Sequence, residues 1–230
     1  QKDIHRLIDE ITTVNPECNF QFVSNGSYSL RGKILESLDK IRHLHSIDIS
    51  IDSLNPEMFS KIRVKGKLEK VIQTVDDLCR YREERRKRGL SYFEIIIQTT
   101  IQQDNYGELV DFVKFAEKRN VKNTVGFIYS PTHLSLLELP KAERVKACCE
   151  MLEALRETGE KTIITLITPI FLSLSDKLKQ EVFDGYLATF PKNKTPESTT
   201  GASYKIKVPL GNTCEARFEL KVAPPASDIK

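Results

Sequence analysis

Asp48, Ser50 and Asp52 stand two residues apart in the run Ser46-Ile47-Asp48-Ile49-Ser50-Ile51-Asp52. On an extended chain this spacing gathers the polar side chains on one face and the isoleucines on the other. Glu94, Ile96, Gln98 and Thr100 share a face in the same way on a later run, which becomes polar towards its end. In an ordinary barrel lyase or aldolase the carboxylates in these rows, Asp48, Asp52 or Glu94, would be the candidate general base. A polar row on a buried parallel strand is unusual and needs hydrogen-bond partners, since unpaired polar groups are costly to bury. Two sources satisfy it: a water- or ligand-filled barrel interior, or a structural polar network.

Other reactive residue types are sparse. The five cysteines (Cys18, Cys79, Cys148, Cys149, Cys214) are odd in number and lack a disulfide framework, which fits free thiols in a reducing compartment. Cys148 and Cys149 are adjacent in a helical pattern, about 100° apart around the axis, so core packing is expected rather than chelation. His43 and His45 precede a strand, at the end away from any chemistry, and His133 lies in a loop. The stretch Arg80–Arg88 reads as a solvated helix end, where cations complement the helix dipole. Arg63 is expected to anchor its loop onto a carboxylate that spacing alone does not identify.

The elements that must position these residues follow from hydrophobic period. Ile4, Leu7, Ile8 and Ile11 have helical spacing with Asp3 as N-cap, and Phe20 to Val23 predicts a strand closed by Ser24-Asn25-Gly26. A helix over Ile34–Ile41, the strand around Ile49 and a short helix opened by Asn55-Pro56-Glu57 come next. A long helix from Leu68, a strand over Phe93–Ile101, a helix with Leu109 and Phe112, a strand over Thr124–Tyr129 and a helix with Val145 and Leu155 continue the alternation. Such an order implies right-handed βαβ units and a parallel α/β sheet. Thr162 to Thr168 predicts a further strand by its β-branched residues, and Leu174 to Tyr186 a helix. From Pro191 onward the composition predicts a linker and an irregular tail.

With 40% apolar and 29% charged residues and a net charge of +3, the 230 residues describe an ordinary globular protein without a nucleic-acid footprint. No apolar run of membrane-spanning length and no secretory signal is visible, so the expected setting is cytoplasmic. The sequons at Asn25 and Asn193 are read as chance matches.

The segments FQFVSNG, SIDISIDSLNPEMFSKIRVKGKLEKVIQTVDDL and FEIIIQTTIQQDNYGELVDFVKFAEK, in this order across Phe20–Lys118, resemble the third to fifth βα units of radical S-adenosylmethionine (SAM) enzymes. That resemblance implies a partial TIM-like (βα) barrel over residues 1–190 and a linker with an irregular C-terminal extension over 191–230. It also implies SAM and a 4Fe-4S cluster as cofactors, a small-molecule or peptide substrate, and a reductant for the cluster. By the same resemblance Ser50 and Asp52 face SAM, its ribose in particular. Gln98 reaches the same ligand, Ser24 and Asn25 edge the pocket, and Cys214 is a candidate first ligand of an auxiliary cluster. The family's CxxxCxxC loop and Gly-Gly-Glu turn are both missing. Upstream truncation explains both losses with one assumption, and the expectation is an inactive fragment of a larger enzyme. The rival readings are an ordinary barrel lyase or aldolase, disfavoured because no lysine sits at a strand end, and a cluster-free barrel used as a binding or scaffold module.

Overall fold

A computed structural model describes residues 3–28, 30–160, 162–188, 203–210 and 214–221. The expected alternation is realised as α1 (Ile4–Val14), β1 (Asn19–Ser24), α2 (Lys33–Lys40), β2 (His43–Ser50), α3 (Pro56–Ile62), α4 (Leu68–Lys87), β3 (Glu94–Ile101), α5 (Leu109–Arg119) and β4 (Lys122–Phe127). The strands form a four-stranded parallel sheet in the order β1-β2-β3-β4, which makes the fold α/β. Asp3 occupies the expected N-cap position of α1, but its carbonyl rather than its side chain accepts the first-turn N–H groups. Asn55 is a full cap: its Oδ1 accepts from the N–H groups of Glu57 and Met58 at 2.9 and 3.1 Å, with Pro56 at the first helical position.

The chain divides into two compact units, residues 1–100 with 114–124 and residues 101–113 with 125–230. In the first, Ile47, Ile49 and Ile51 of the β2 run and Ile95 and Ile97 of β3 are buried together with Val71, Val75 and Leu78 of α4. Burial of side chains this size contributes about 1.5–3 kcal/mol each. Leu44 and Ile47 both belong to this core although they are three residues apart. The β1–β2 register explains it: Phe20 pairs with Leu44 and Gln21 with Ser46, so His45 is an extra residue in β2. This bulge sets Leu44 on the isoleucine face, while Ser46 and Asp48 lie opposite it by period two.

Gly26, after β1, has φ +68°, and a Cβ there would lie 2.7 Å from Val71 Cγ1. Only glycine fits this buried turn, whose carbonyl accepts from Thr74 Oγ1 at 2.7 Å.

The arginine-rich end of α4 corrects the expectation of a solvated helix end. Arg80, Arg86 and Arg88 are exposed, but Arg82 and Arg85 are buried. Leu78, Arg82 and Arg85 continue the apolar stripe of α4 at helical spacing, so the two arginines face inward with it. Arg85 donates to the carbonyls of Leu38, Ile41 and Ser91, and Arg82 donates to the Asn120 carbonyl at 2.9 Å. The Leu38 carbonyl belongs to the last turn of α2, where backbone acceptors lack helical partners. Tyr81 donates to Asp39 at 2.7 Å, and Arg88 bonds both Asp39 oxygens. The Arg88 guanidinium holds the Asp39 carboxyl below its usual range, whereas burial pushes the Tyr81 phenol up to about 12.

In the second unit, α6 (Lys141–Thr158) packs against α7 (Ile163–Leu172) and α8 (Asp176–Ala188). The strand expected over Thr162–Thr168 is the start of α7. Its buried residues Ile163, Leu166, Ile167 and Ile170 have helical spacing, and packing on that spacing overrides the β-branched composition. Cys148 is buried in α6 as expected, and burial pushes its thiol up to about 12. His133 is exposed in a short turn, Thr132–Leu134. Within the stretch expected to be irregular, β5 (Ser203–Leu210) and β6 (Cys214–Lys221) form an antiparallel hairpin. The division expected at residue 190 falls outside the described residues, as does the Cys214 side chain. Among the described residues no helix is long and apolar enough to cross a membrane.

Candidate functional site

The face of β1–β3 opposite the isoleucines carries the polar side chains that the period-two pattern selects. Gln21 pairs with Ser46 across β1 and β2, and Glu94, Ile96 and Gln98 pair with Ser46, Asp48 and Ser50 across β2 and β3. Parallel register therefore sets side chains of three strands beside one another. Gln21 and Thr100 are exposed, Ser50, Glu94, Ile96 and Gln98 are half-buried, and Ser46 and Asp48 are buried.

Asp48 is the centre of this face. Its Oδ2 accepts from Gln21 Nε2 at 3.1 Å and from Gln98 Nε2 at 2.8 Å, and its Oδ1 accepts from Ser46 Oγ at 2.7 Å. The carboxylate, 2% exposed, is thus satisfied by donors from all three strands. Ser50, one step further along β2, lies beside Gln98, and its hydroxyl has no protein partner among the described residues.

Asp52, just beyond β2, does different work. Its Oδ2 receives the Arg63 Nε and Nη2, each at 2.7 Å, and its Oδ1 accepts from the Thr100 N–H at 2.9 Å. This fork is the carboxylate partner that sequence spacing left unassigned for Arg63. Local sequence builds it: α3 ends at Ile62, Lys65 adopts φ +66°, and Gly66 N–H donates back to the Arg63 carbonyl at 2.7 Å. A Cβ on Gly66 would meet that carbonyl and the Phe59 ring, both at 2.8 Å, so the turn requires glycine. The Ile51 N–H donates to the Gln98 carbonyl at 2.9 Å, and with the Asp52 bonds it ties the outgoing ends of β2 and β3 together.

The five residues expected around one pocket separate into two groups. Ser50, Asp52 and Gln98 lie on the polar face or at its rim. Ser24 pairs with Ile49 and, with Asn25, lines a largely apolar cavity of about 420 Å³ on the helix side of the sheet, among Ile8, Phe22, Leu38 and Leu78. Their side chains serve the local turn: Ser24 Oγ accepts from Gly26 N–H and Asn25 Oδ1 from Ser27 N–H. The residues that sequence reasoning missed are Gln21 and Ser46. Ser46 shares the period of Asp48 and was legible in principle; Gln21 depended on the bulge, which leaves no mark in the sequence.

The carboxylates proposed as bases for an ordinary barrel lyase are all engaged: Asp48 and Asp52 as above, and Glu94 with Lys122 at 3.2 Å. Among the described residues no three His, Cys, Asp or Glu side chains come together to hold a metal ion.

No family model matches the chain. Over 131 residues it is 29% identical to a GTP 3′,8-cyclase of Nautilia profundicola, an alignment covering 56% of this chain and 36% of that relative. The chain therefore spans about a third of the length of the curated relative it matches. That relative is a radical SAM enzyme, and the similarity supports the radical SAM superfamily, at the level of the superfamily.

Proposed function

We propose that the chain is the middle and C-terminal part of a radical SAM enzyme, that its sheet is a segment of a (βα) barrel, and that the polar face of β1–β3 receives SAM. The observation that carries this reading is the Ser50 hydroxyl, unpartnered among the described residues, beside the Gln98 carboxamide near the carboxyl ends of adjacent parallel strands. Functional groups gather at that end in parallel α/β folds.

The residues present fit the nucleoside part of the ligand. Ribose hydroxyls both donate and accept, and a serine hydroxyl beside a carboxamide offers both complements. Asp52, held by Arg63 and the Thr100 amide, acts at the rim by fixing the ends of β2 and β3. Ser24 and Asn25 have no part in this site. The cluster has no fitting ligand set here, because the sequence contains no CxxxCxxC and the described residues assemble no metal-binding group. Its ligands belong to sequence beyond this chain in our reading, with Cys214 a candidate for an auxiliary cluster only. Bound at a 4Fe-4S cluster, SAM would supply a carbon radical by one-electron reductive cleavage, the electron coming from the cluster's reductant. The substrate, small molecule or peptide, would meet this face in a cytoplasmic, reducing setting.

The test uses the full-length gene product, reconstituted anaerobically with iron and sulfide and incubated with SAM and a reductant. Formation of 5′-deoxyadenosine is the expected result. Its absence from protein with a full cluster complement would sink the reading.

A further inference from the structure

We infer that Asp48 is a positioning residue that decides which end of the Gln98 carboxamide a ligand meets; the inference rests on the reading of this face as a SAM site. A carboxylate accepts hydrogen bonds and has none to give. Asp48 Oδ2 therefore draws the amide nitrogens of Gln21 and Gln98 to itself, at 3.1 and 2.8 Å, and the amide oxygens turn away. Ser46 holds the other carboxylate oxygen at 2.7 Å, which leaves the carboxylate little freedom to rotate.

The consequence falls on the ligand. An unrestrained glutamine presents either its oxygen or its NH2, whereas here the nitrogen is held at Asp48 and the oxygen is left for a ligand, on the strand position paired with Ser50. The face therefore selects a group that donates to one neighbour and accepts from the other, as a sugar hydroxyl does, and disfavours ligands that carry only an acceptor there. Once a bound ligand covers the half-buried pair, a mismatched ligand leaves a polar group without a partner, which discriminates against it. Asp48 itself, only 2% exposed and with donors on both oxygens, touches no ligand.

The experiment measures equilibrium SAM binding to the reconstituted full-length protein, with thermal melting as a fold control. Asp48→Asn keeps the shape but both donates and accepts, so Gln98 is no longer locked; SAM binding should weaken about tenfold. Gln98→Met removes the acceptor and should weaken binding to a similar degree. In the Gln98→Met background Asp48→Asn should cost nothing more, because its effect runs through Gln98. Additive losses, or wild-type affinity in Asp48→Asn, would overturn the positioning role while leaving the SAM site intact. Wild-type protein that binds no SAM would remove the site reading instead. Should Asp48→Asn fail to fold, Gln98→Glu answers the same question: it retains an acceptor but loses the N–H that Asp48 holds. It should bind SAM as weakly as Gln98→Met, and wild-type affinity there would overturn the inference.

Discussion

At the amino ends of β2, β3 and β4, arginines of α4 donate to backbone carbonyls: Arg85 to Leu38, Ile41 and Ser91, and Arg82 to Asn120. At the carboxyl ends of β2 and β3 the signs are reversed, with Asp52 accepting from a guanidinium and a backbone N–H. Asp48, within β2, accepts from two carboxamides and a hydroxyl. Both regions bury charge and both pair it, although the buried Arg82 Nε has no hydrogen-bond partner among the described residues. They differ in what is left over. The arginines are spent on main chain, which every sequence offers, so that end is a bolt. The carboxylates hold side chains whose other ends face outward, so that end can be adapted to a ligand without rebuilding the sheet. Division of labour between stability and chemistry is the general pattern of parallel α/β folds, and here it has named residues.

The comparison is broken or sharpened by four measurements. Arg85→Met should have the largest effect, about 3–5 kcal/mol lost in denaturant melts, since several buried carbonyls lose their donor at once. Full stability in this variant would refute the idea of a bolt. Gly26→Ala, at the carboxyl end of β1, should cost about 2 kcal/mol through its positive φ and the contact with Val71. That result would show that a carboxyl end can also be purely structural, in keeping with the apolar cavity beside Ser24. Arg63→Lys, which replaces a two-pronged contact by a single one, should cost about 1 kcal/mol of stability. It should also weaken SAM binding in the full-length protein, which Arg85→Met should not do in whatever fraction remains folded.

The smallest effect is pH dependence at the amino end. The folded-state carboxyl of Asp39 titrates below its ordinary value because Arg88 bonds it, so its contribution is present above about pH 4 and lost as pH falls through the lowered value. Tyr81 has the opposite sign. Its folded-state pKa is raised from 10 to about 12, so its contribution is complete below pH 10 and lost as pH rises towards 12. Melting curves of wild type and Asp39→Asn should therefore converge in acid, and those of wild type and Tyr81→Phe should converge as pH rises from 10 towards 12.

The alternation of strand and helix was legible because residues such as Leu68, Val71, Val75 and Leu78 keep helical period while Ile47, Ile49 and Ile51 keep period two. Where two signals competed, the wrong one was weighed. At Ile163–Ile167 β-branching outweighed a spacing of three and four that packing then enforced. At Arg82 and Arg85 charge outweighed phase, although both continue the buried stripe of α4. The polar face was visible as a pattern on single strands. Its partners, Gln21 to Asp48 and Arg63 to Asp52, join different elements through register and a tight turn, which no single-strand pattern contains. The family resemblance grouped Ser24 and Asn25 with Ser50, but Ser24, the last residue of β1, has the parity of Phe20 and Phe22 and pairs with Ile49.

The extra residue His45 makes that parity consequential. Counted from Leu44, the odd insertion converts what would be a continuous even-numbered set into two, so the chemistry of β2 depends on a frame as a coding sequence does. Deleting His45 alone would leave Leu44 next to Ser46, a regular alternation that keeps Leu44 in the isoleucine layer and Asp48 opposite it. Loss of His45 should therefore be tolerated, whereas removing one residue between Ser46 and Ile51 should set part of the polar row against the core.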